Sequence, residues 1–281
     1  MDKRGYLRRF LKNKPAAAGG GFILFIGLII LLTPLIAPYS YEEQCLEDQY
    51  QGPSPHHWMG TDSKGRDLIT RVMYGGRISL AVGLAGTAVS LLIGVTYGSV
   101  AGFLGGKIDN TMMRIVDTLY GLPFMFLVIL LMTVVGRSIY VLFIALGAVQ
   151  WLTMARIVRG QIIMLKEREF VEAARALGAS KPRIIIHHLI PNILGPVVVY
   201  ATLTVPAVML EEAFLSFLGL GVQPPASSWG SLAADGMTVI SPVKTYWWLV
   251  VFPGATLATT LFSLNFLGDG LRDALEPHSN Y

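Results

Sequence analysis

Five histidines, one cysteine and eighteen Asp or Glu residues are the side chains with which this 281-residue chain could ligate a metal or move a proton. Their spacing narrows that chemistry. His56 with His57, and His187 with His188, are sequence neighbours. Adjacent positions on a helix point about 100° apart, so neither pair has the i, i+4 spacing of a metal-binding face. Nickel or zinc remains open only at the first pair, which sits in a turn-rich stretch. Cys45 stands alone, which rules out an internal disulfide and any cysteine-based metal site. "GTDSKGRD", residues 60–67, has the flavour of a calcium loop but lacks the alternating oxygen ligands and the distant Glu. Nucleotide chemistry is also missing. "AGFLGGKI" puts Ala101 and Ile108 where a phosphate-binding loop needs Gly and Ser or Thr, and "GLGVQP" lacks the third glycine of a dinucleotide turn.

The remaining candidates are acids beside apolar sequence. Glu211 and Glu212 follow an apolar run near its outer end, where an intramembrane acid marks a substrate path and a terminal one reaches the headgroups. Adjacent like charges favour protonation of one, or a preference for the cationic end of a substrate. Asp117 reads as a bundle hydrogen-bond partner or interfacial charge, and Asp269 with Arg272 as a structural pair. Two alternatives use these groups for chemistry: a membrane-embedded enzyme built on His56, His57 and Asp62, and an ion-driven carrier using Asp117 and Glu211. The two halves show no inverted repeat, which counts against the carrier.

These residues are positioned by a membrane domain. The chain is 53% apolar and 14% charged, against about 25% charged in soluble domains. Uncharged runs extend over Pro15–Tyr41, Ile78–Gly106, Thr118–Gly136, Ser138–Ala155, Ile184–Leu210 and Thr245–Gly268. Each approaches or exceeds the roughly 18 residues that cross a bilayer core as a helix. Their continuity argues against a strand barrel, which needs alternation. A seventh run, Ala213–Ala234, contains "GLGVQPPASSWG" and reads as an extramembrane or re-entrant loop. "RDLITRVMYGG", residues 66–76, gathers Leu68, Ile69, Val72 and Met73 on one face and reads as a helix lying on the membrane surface or against neighbouring helices. "GGKIDNTMMR", residues 105–114, reads as a short inner loop.

Charge placement sets the topology. Lys3, Arg4, Arg8, Arg9, Lys12 and Lys14 precede the first apolar run, which holds the N-terminus in the cytoplasm. With six crossings, inner segments carry 16 of the 22 Lys and Arg residues. The basic start argues for a membrane rather than nucleic acid. "FILFIGLIILLTPLIAPYS" has no small-x-small cleavage site, so the first run is an uncleaved anchor. Tyr246, Trp247 and Trp248 fall where an aromatic interface belt is expected.

One inner segment is unlike a connector. In "MLKEREFVEAARAL", residues 164–177, nearly every residue favours helix, with Phe170, Ala174 and Leu177 along one face. Gly178 is placed for a left-handed cap, Ser180 can cap a second helix, and Pro182 suits its first turn. Small Ala173 and Ala174 permit close approach, while Glu172 and Arg175 offer opposite charges. Such a helix can enter a partner's groove.

The E-A-A, three residues, Gly pattern at Glu172, Ala173, Ala174 and Gly178, followed by Pro191, resembles the EAA loop of binding-protein-dependent ABC importer permeases. Further matches are "GTDSKGRD", "GGKIDNTMMR", "MARIVRGQ", "LSFLGLGVQPP", "SSWG" and "GDGLRDALEP". Together they resemble the C-type permease of the dipeptide, oligopeptide and nickel transporter family, and "GGRISL", "PFMFLVILL" and "WLTMARIVRGQ" lie closest to its oligopeptide branch. The resemblance implies an all-α integral membrane protein with six transmembrane helices, the type I ABC importer permease fold with a cytoplasmic coupling (EAA) helix. It divides the chain into a cytoplasmic basic N-terminus (1–16), a first crossing (17–38), an external loop with the surface helix (39–77), a permease core (78–270) and a cytoplasmic C-terminus (271–281). The core holds the EAA loop (164–190) and an external loop (215–245). In this family Glu172, Ala173, Ala174, Arg175 and Gly178 would couple to an ATPase, and an acid commonly stands at the Glu212 position. The implied partners are a second, B-type permease, two P-loop ABC ATPase subunits that hold ATP and Mg, an extracytoplasmic peptide-binding protein and membrane lipid. The chain itself would carry no cofactor and no catalytic residue, and would import oligopeptides across the inner membrane; dipeptides or nickel are the alternatives.

Overall fold

A computed structural model describes residues 10–136, 138–240 and 244–275. The basic residues Lys3, Arg4, Arg8 and Arg9 and the tail from Glu276 lie outside the described residues. Apart from one isolated bridge between Thr61 and Asp67, the described chain is helix and loop. The helices are α1 (Lys14–Ile36), α2 (Leu68–Leu104), α3 (Gly106–Tyr120), α4 (Phe124–Val135), α5 (Ile139–Leu165), α6 (Glu169–Ala176), α7 (Lys181–Phe217), α8 (Trp229–Thr238) and α9 (Trp248–Leu275). α1, α2, α5, α7 and α9 are each long and apolar enough to cross a membrane, and α3 with α4 makes a sixth span when taken as one broken element.

Local chemistry accounts for the helix starts. Asn13 accepts the Ala16 N–H at 3.2 Å ahead of α1, Asp67 accepts the Thr70 N–H at 2.9 Å ahead of α2, and Ser138 accepts the Val141 N–H at 3.2 Å ahead of α5. Each satisfies a backbone donor that has no partner within the helix. α2 and α5 form the most extensive helix pair. Small residues make that possible: a Cβ on Gly98 would lie 2.4 Å from the Ala155 carbonyl oxygen, so the backbones touch in the manner of helices packing in lipid.

Several sequence expectations are corrected. The surface helix over residues 66–76 is the opening of α2, whose 37 residues extend about 55 Å, well beyond a hydrocarbon core of about 30 Å. Of the two alternatives for its apolar face, packing against neighbouring elements is the one found for Leu68 and Val72, which lie in a core with Trp229, Trp248 and Leu249, while Ile69 and Met73 are half-buried. The inner loop expected over 105–114 is helical from Gly106 onward, within α3. The uncharged run Thr118–Gly136 does not form one rod, because α3 and α4 meet at a 90° bend across Gly121–Pro123. Pro123 restricts the residue before it to extended backbone and ends the preceding helix. Residues 215–245, expected as an external loop, contain α8, which opens on a reciprocal cap between Ser228 and Ser231. Trp248 is buried, donating to the Thr61 carbonyl at 3.3 Å, and Tyr246 stacks on Tyr50 at 4.3 Å. Those two rings therefore fasten the loop before α2; Trp247 stays half-exposed.

α7 runs through Pro191. Just before it the chain adopts a π-helical stretch, Ile184–Leu189. Pro191 has no N–H, and its ring crowds the carbonyl four residues back; the wider π register absorbs the mismatch.

Candidate functional site

The polar hairpin is built on the ends of α2, α5 and α7. Val171 and Ala174 of α6 are buried in a cluster with Phe103, Ile162, Ile184 and Leu189. The Arg175 guanidinium lies over the Phe103 ring, 5.6 Å from its centroid. Where α6 ends, the Gly178 N–H donates to the Arg175 carbonyl at 2.9 Å and the Ala179 N–H to the Ala174 carbonyl at 3.0 Å. Gly178 has φ +80°, so this is a Schellman closure with glycine at its left-handed position. Ser180 occupies the N-cap of α7, but its side chain makes no capping bond. Lys166 Nζ donates to the Gly102 carbonyl at 3.1 Å, tying the start of the hairpin to α2.

The face expected from Phe170, Ala174 and Leu177 divides. The inward direction of α6 falls between Val171, fully buried, and Ala174, whereas Leu177 is 87% exposed and Phe170 is exposed beside it. The two alanines accordingly differ: Ala174 packs within the bundle, while Ala173 shares the free surface with Glu172 and Arg175.

Glu211 and Glu212 also part company, since successive side chains on α7 point about 100° apart. Glu212 is 1% exposed, and its Oε1 accepts from Ser216 Oγ and Ser228 Oγ, each at 2.7 Å. It joins α7 to the cap of α8, whose Trp229 donates from Nε1 to the Val72 carbonyl at 2.8 Å. Glu211 faces the opposite flank. Its Oε1 accepts from Gln150 Nε2 of α5 at 2.5 Å, and it lines a cavity of about 230 Å³ with Tyr120, Leu122, Leu127, Gln150 and Thr153.

Of the residues of the two rival chemistries, His56 and His57 share a pocket of about 360 Å³ with Cys45, Asp48 and Asp67, whose lining does not include Asp62. His57 Nδ1 is 3.0 Å from Asp67 Oδ1, and its ring stacks on Tyr39. Asp62 accepts the backbone N–H groups of Lys64 and Arg66 at 2.8 and 3.0 Å, Arg66 Nε at 2.7 Å and Arg71 Nη1 at 2.5 Å. His56 is exposed. Among the described residues no three histidine, cysteine or acidic side chains gather as a metal site would. Asp117 accepts from Arg156 Nη2 at 2.7 Å and is not shared with Glu211.

Sequence reasoning missed a bidentate strap. Arg159 Nε and Nη2 of α5 donate to Asp109 Oδ1 and Oδ2 of α3 at 2.5 and 2.6 Å. "GGKIDNTMMR" and "MARIVRGQ" stand out as charged motifs, but their pairing is visible only once α3 packs on α5. Gln150 carries no charge or spacing signal that would have marked it.

An apolar helical bundle in which Asp109 and Asp117 pair with arginines, with a polar hairpin turned outward at one end, is the architecture of a membrane transport subunit. The model of the binding-protein-dependent transport system inner membrane component family matches residues 94–281, and the chain belongs to that family. A second model, the N-terminal TM domain of oligopeptide transport permease C, matches residues 4–53. The oligopeptide transport system permease protein OppC of Haemophilus influenzae is 50% identical over 274 residues, covering 96% of this chain and 86% of that protein. OppC of Escherichia coli is also 50% identical, over 96% of this chain and 89% of that one. The dipeptide transport system permease protein DppC of Bacillus subtilis is 47% identical over 96% and 84%. The fold is shared with a chain of the MetNI methionine ABC transporter in an inward-facing conformation, at TM-score 0.59 and 19% identity, covering 75% of this chain and 99% of that one.

Proposed function

We propose that this chain is one of two permease subunits of an ABC importer that carries oligopeptides across the cytoplasmic membrane, driven by ATP hydrolysis in two partner ATPases. The relatives named for oligopeptide transport support the substrate class, and the basic N-terminal stretch supports cytoplasmic termini. The observation that carries the coupling role is the hairpin itself. One face of α6 is locked into the bundle through Val171 and Ala174, so displacement of its free face moves α2, α5 and α7 together. Glu172, Ala173 and Arg175, with Phe170 and Leu177 around them, form the surface offered to an ATPase groove, and Gly178 sets the angle at which it is offered. Of the two acids proposed for the substrate path, Glu211 keeps that role because it lines a cavity; the burial and two serine bonds of Glu212 support a structural role.

The test is purification of the tagged chain in mild detergent, with identification of what accompanies it. Two P-loop ATPases and a second permease are expected, with ATP-dependent peptide uptake once the complex is reconstituted with its peptide-binding protein. Recovery of the chain alone with an intrinsic activity would refute the reading.

A further inference from the structure

Glu211 has one oxygen provided for and one not. Oε1 takes the Gln150 amide, while Oε2 is buried with no hydrogen-bond partner. Among the described residues, Glu211 is the one charged side chain lining its cavity. Arg156 stacks on Tyr120, a neighbouring wall residue, at 4.3 Å, yet its guanidinium is held by Asp117 at 2.7 Å. A buried carboxyl oxygen with no partner, beside one that takes only a neutral amide, is costly, and a nearby cation is a group that stabilises it as a carboxylate.

We infer that Glu211 is where the translocation path takes hold of the primary ammonium of a peptide. The inference rests on the peptide-importer reading above. The space suits such a ligand. The cavity of about 230 Å³ is several times the roughly 30 Å³ share of one water, room for an ammonium group and its first carbons. It shares Leu119, Leu127, Val149 and Leu152 with a wider trough of about 390 Å³, lined entirely by apolar residues of α3, α4 and α5. An ammonium at Glu211 thus leaves the rest of a peptide against a surface that accepts apolar side chains of any shape. Oε2 is walled off in this arrangement, so the ammonium is admitted as the walls separate during the transport cycle. Gln150 is the positioning residue: its donation to Oε1 leaves Oε2 as the acceptor presented to the ligand.

The test uses the assembled complex in lipid nanodiscs and proteoliposomes. Glu211→Gln is expected to lower the uptake rate at saturating loaded binding protein about tenfold, the loss of one charge-assisted contact. Glu211→Asp should restore part of it. Peptide affinity of the binding protein, a separate chain, should not change. A second measurement reads the ligand chemistry: labelling of Glu211 by a hydrophobic carbodiimide, quantified by mass spectrometry. Alanyl-alanine amide and N-acetyl-lysine amide, which carry the ammonium at the backbone and on a side chain, separate its two sources. At least one should protect, while N-acetyl-alanine amide should not. Equal protection by all three, protection by none, or no labelling in the unprotected complex would overturn the inference. So would full uptake by Glu211→Gln. A wild-type complex that takes up no peptide would instead refute the importer reading.

Discussion

Asp62 shows how much one side chain can hold together outside the bundle. Burial alone would raise its pKa, but Arg71 and then the Arg66 and Lys64 backbone N–H groups and the Arg66 charge outweigh that and hold it below the usual carboxylate value. A carboxyl whose folded pKa is depressed contributes stability that is fully present above its unfolded pKa, about 3.9. That contribution is lost as pH falls through the lower folded value. The thermal midpoint of the detergent-solubilised protein should therefore carry an Asp62 component that is constant near neutrality and disappears below about pH 4. Asp62→Asn should start lower at pH 7, by about 3 kcal/mol, because Arg71 is left buried without its partner, and should lack that part of the acid loss. A variant whose acid profile runs parallel to wild type would show that other carboxylates govern it. Little of this was legible in advance. "GTDSKGRD" stands out in the sequence, but the partner that matters most, Arg71, lies a turn inside what reads as a separate surface helix.

At the scale of elements, the hairpin was readable because its signals are local. Glycine at a left-handed C-cap and proline in a helical first turn depend on backbone geometry within a few residues, and Gly178 and Pro182 occupy those positions. Which face of α6 turns inward was not readable, since that depends on where Phe103 and Ile184 arrive from distant sequence. The bend between α3 and α4 escaped notice for a related reason: an uncharged run reports solubility in lipid, not straightness, and Pro123 was the overlooked cue. Gly178→Pro makes the sharpest test of the hairpin. Proline is fixed near φ −65°, incompatible with the +80° found here, and it removes the N–H that closes on Arg175. The change should leave the membrane bundle assembled, because α6 is joined to it through Val171 and Ala174, yet turn the free face away from its ATPase. The expected result is normal abundance and normal partner recovery at low stringency, with peptide uptake reduced at least tenfold and ATP hydrolysis no longer stimulated by loaded binding protein; such uncoupling corresponds to a coupling energy above about 1.4 kcal/mol. Unchanged uptake would remove the hairpin from the coupling path.

For the whole molecule, the apolar surfaces differ in what lies behind them. On α1, Leu24, Leu31 and Leu35 are strongly exposed, and the helix packs on α9 and α2. Lipid satisfies that face completely. On α4 and the start of α5, Phe126, Leu130, Val134 and Tyr140 are equally exposed, but this flank borders the trough that leads to Glu211 and Gln150. Lipid chains filling that trough would reach the adjoining cavity that holds a carboxyl group, which is unfavourable in hydrocarbon, and would leave a transport path open sideways. A second permease must seal it if the importer reading holds. Single cysteines distinguish the two surfaces, once the native Cys45 is replaced by serine. In the isolated chain, Leu31→Cys and Val134→Cys should both react with a lipid-soluble maleimide. In the assembled complex, Leu31→Cys should react as before, whereas labelling at Val134→Cys should fall several-fold and an oxidant should cross-link it to the second permease when a cysteine is placed opposite. Equal labelling of Val134→Cys with and without its partners would mean that α4 faces lipid throughout, and the path would then have to be closed from another side of the bundle.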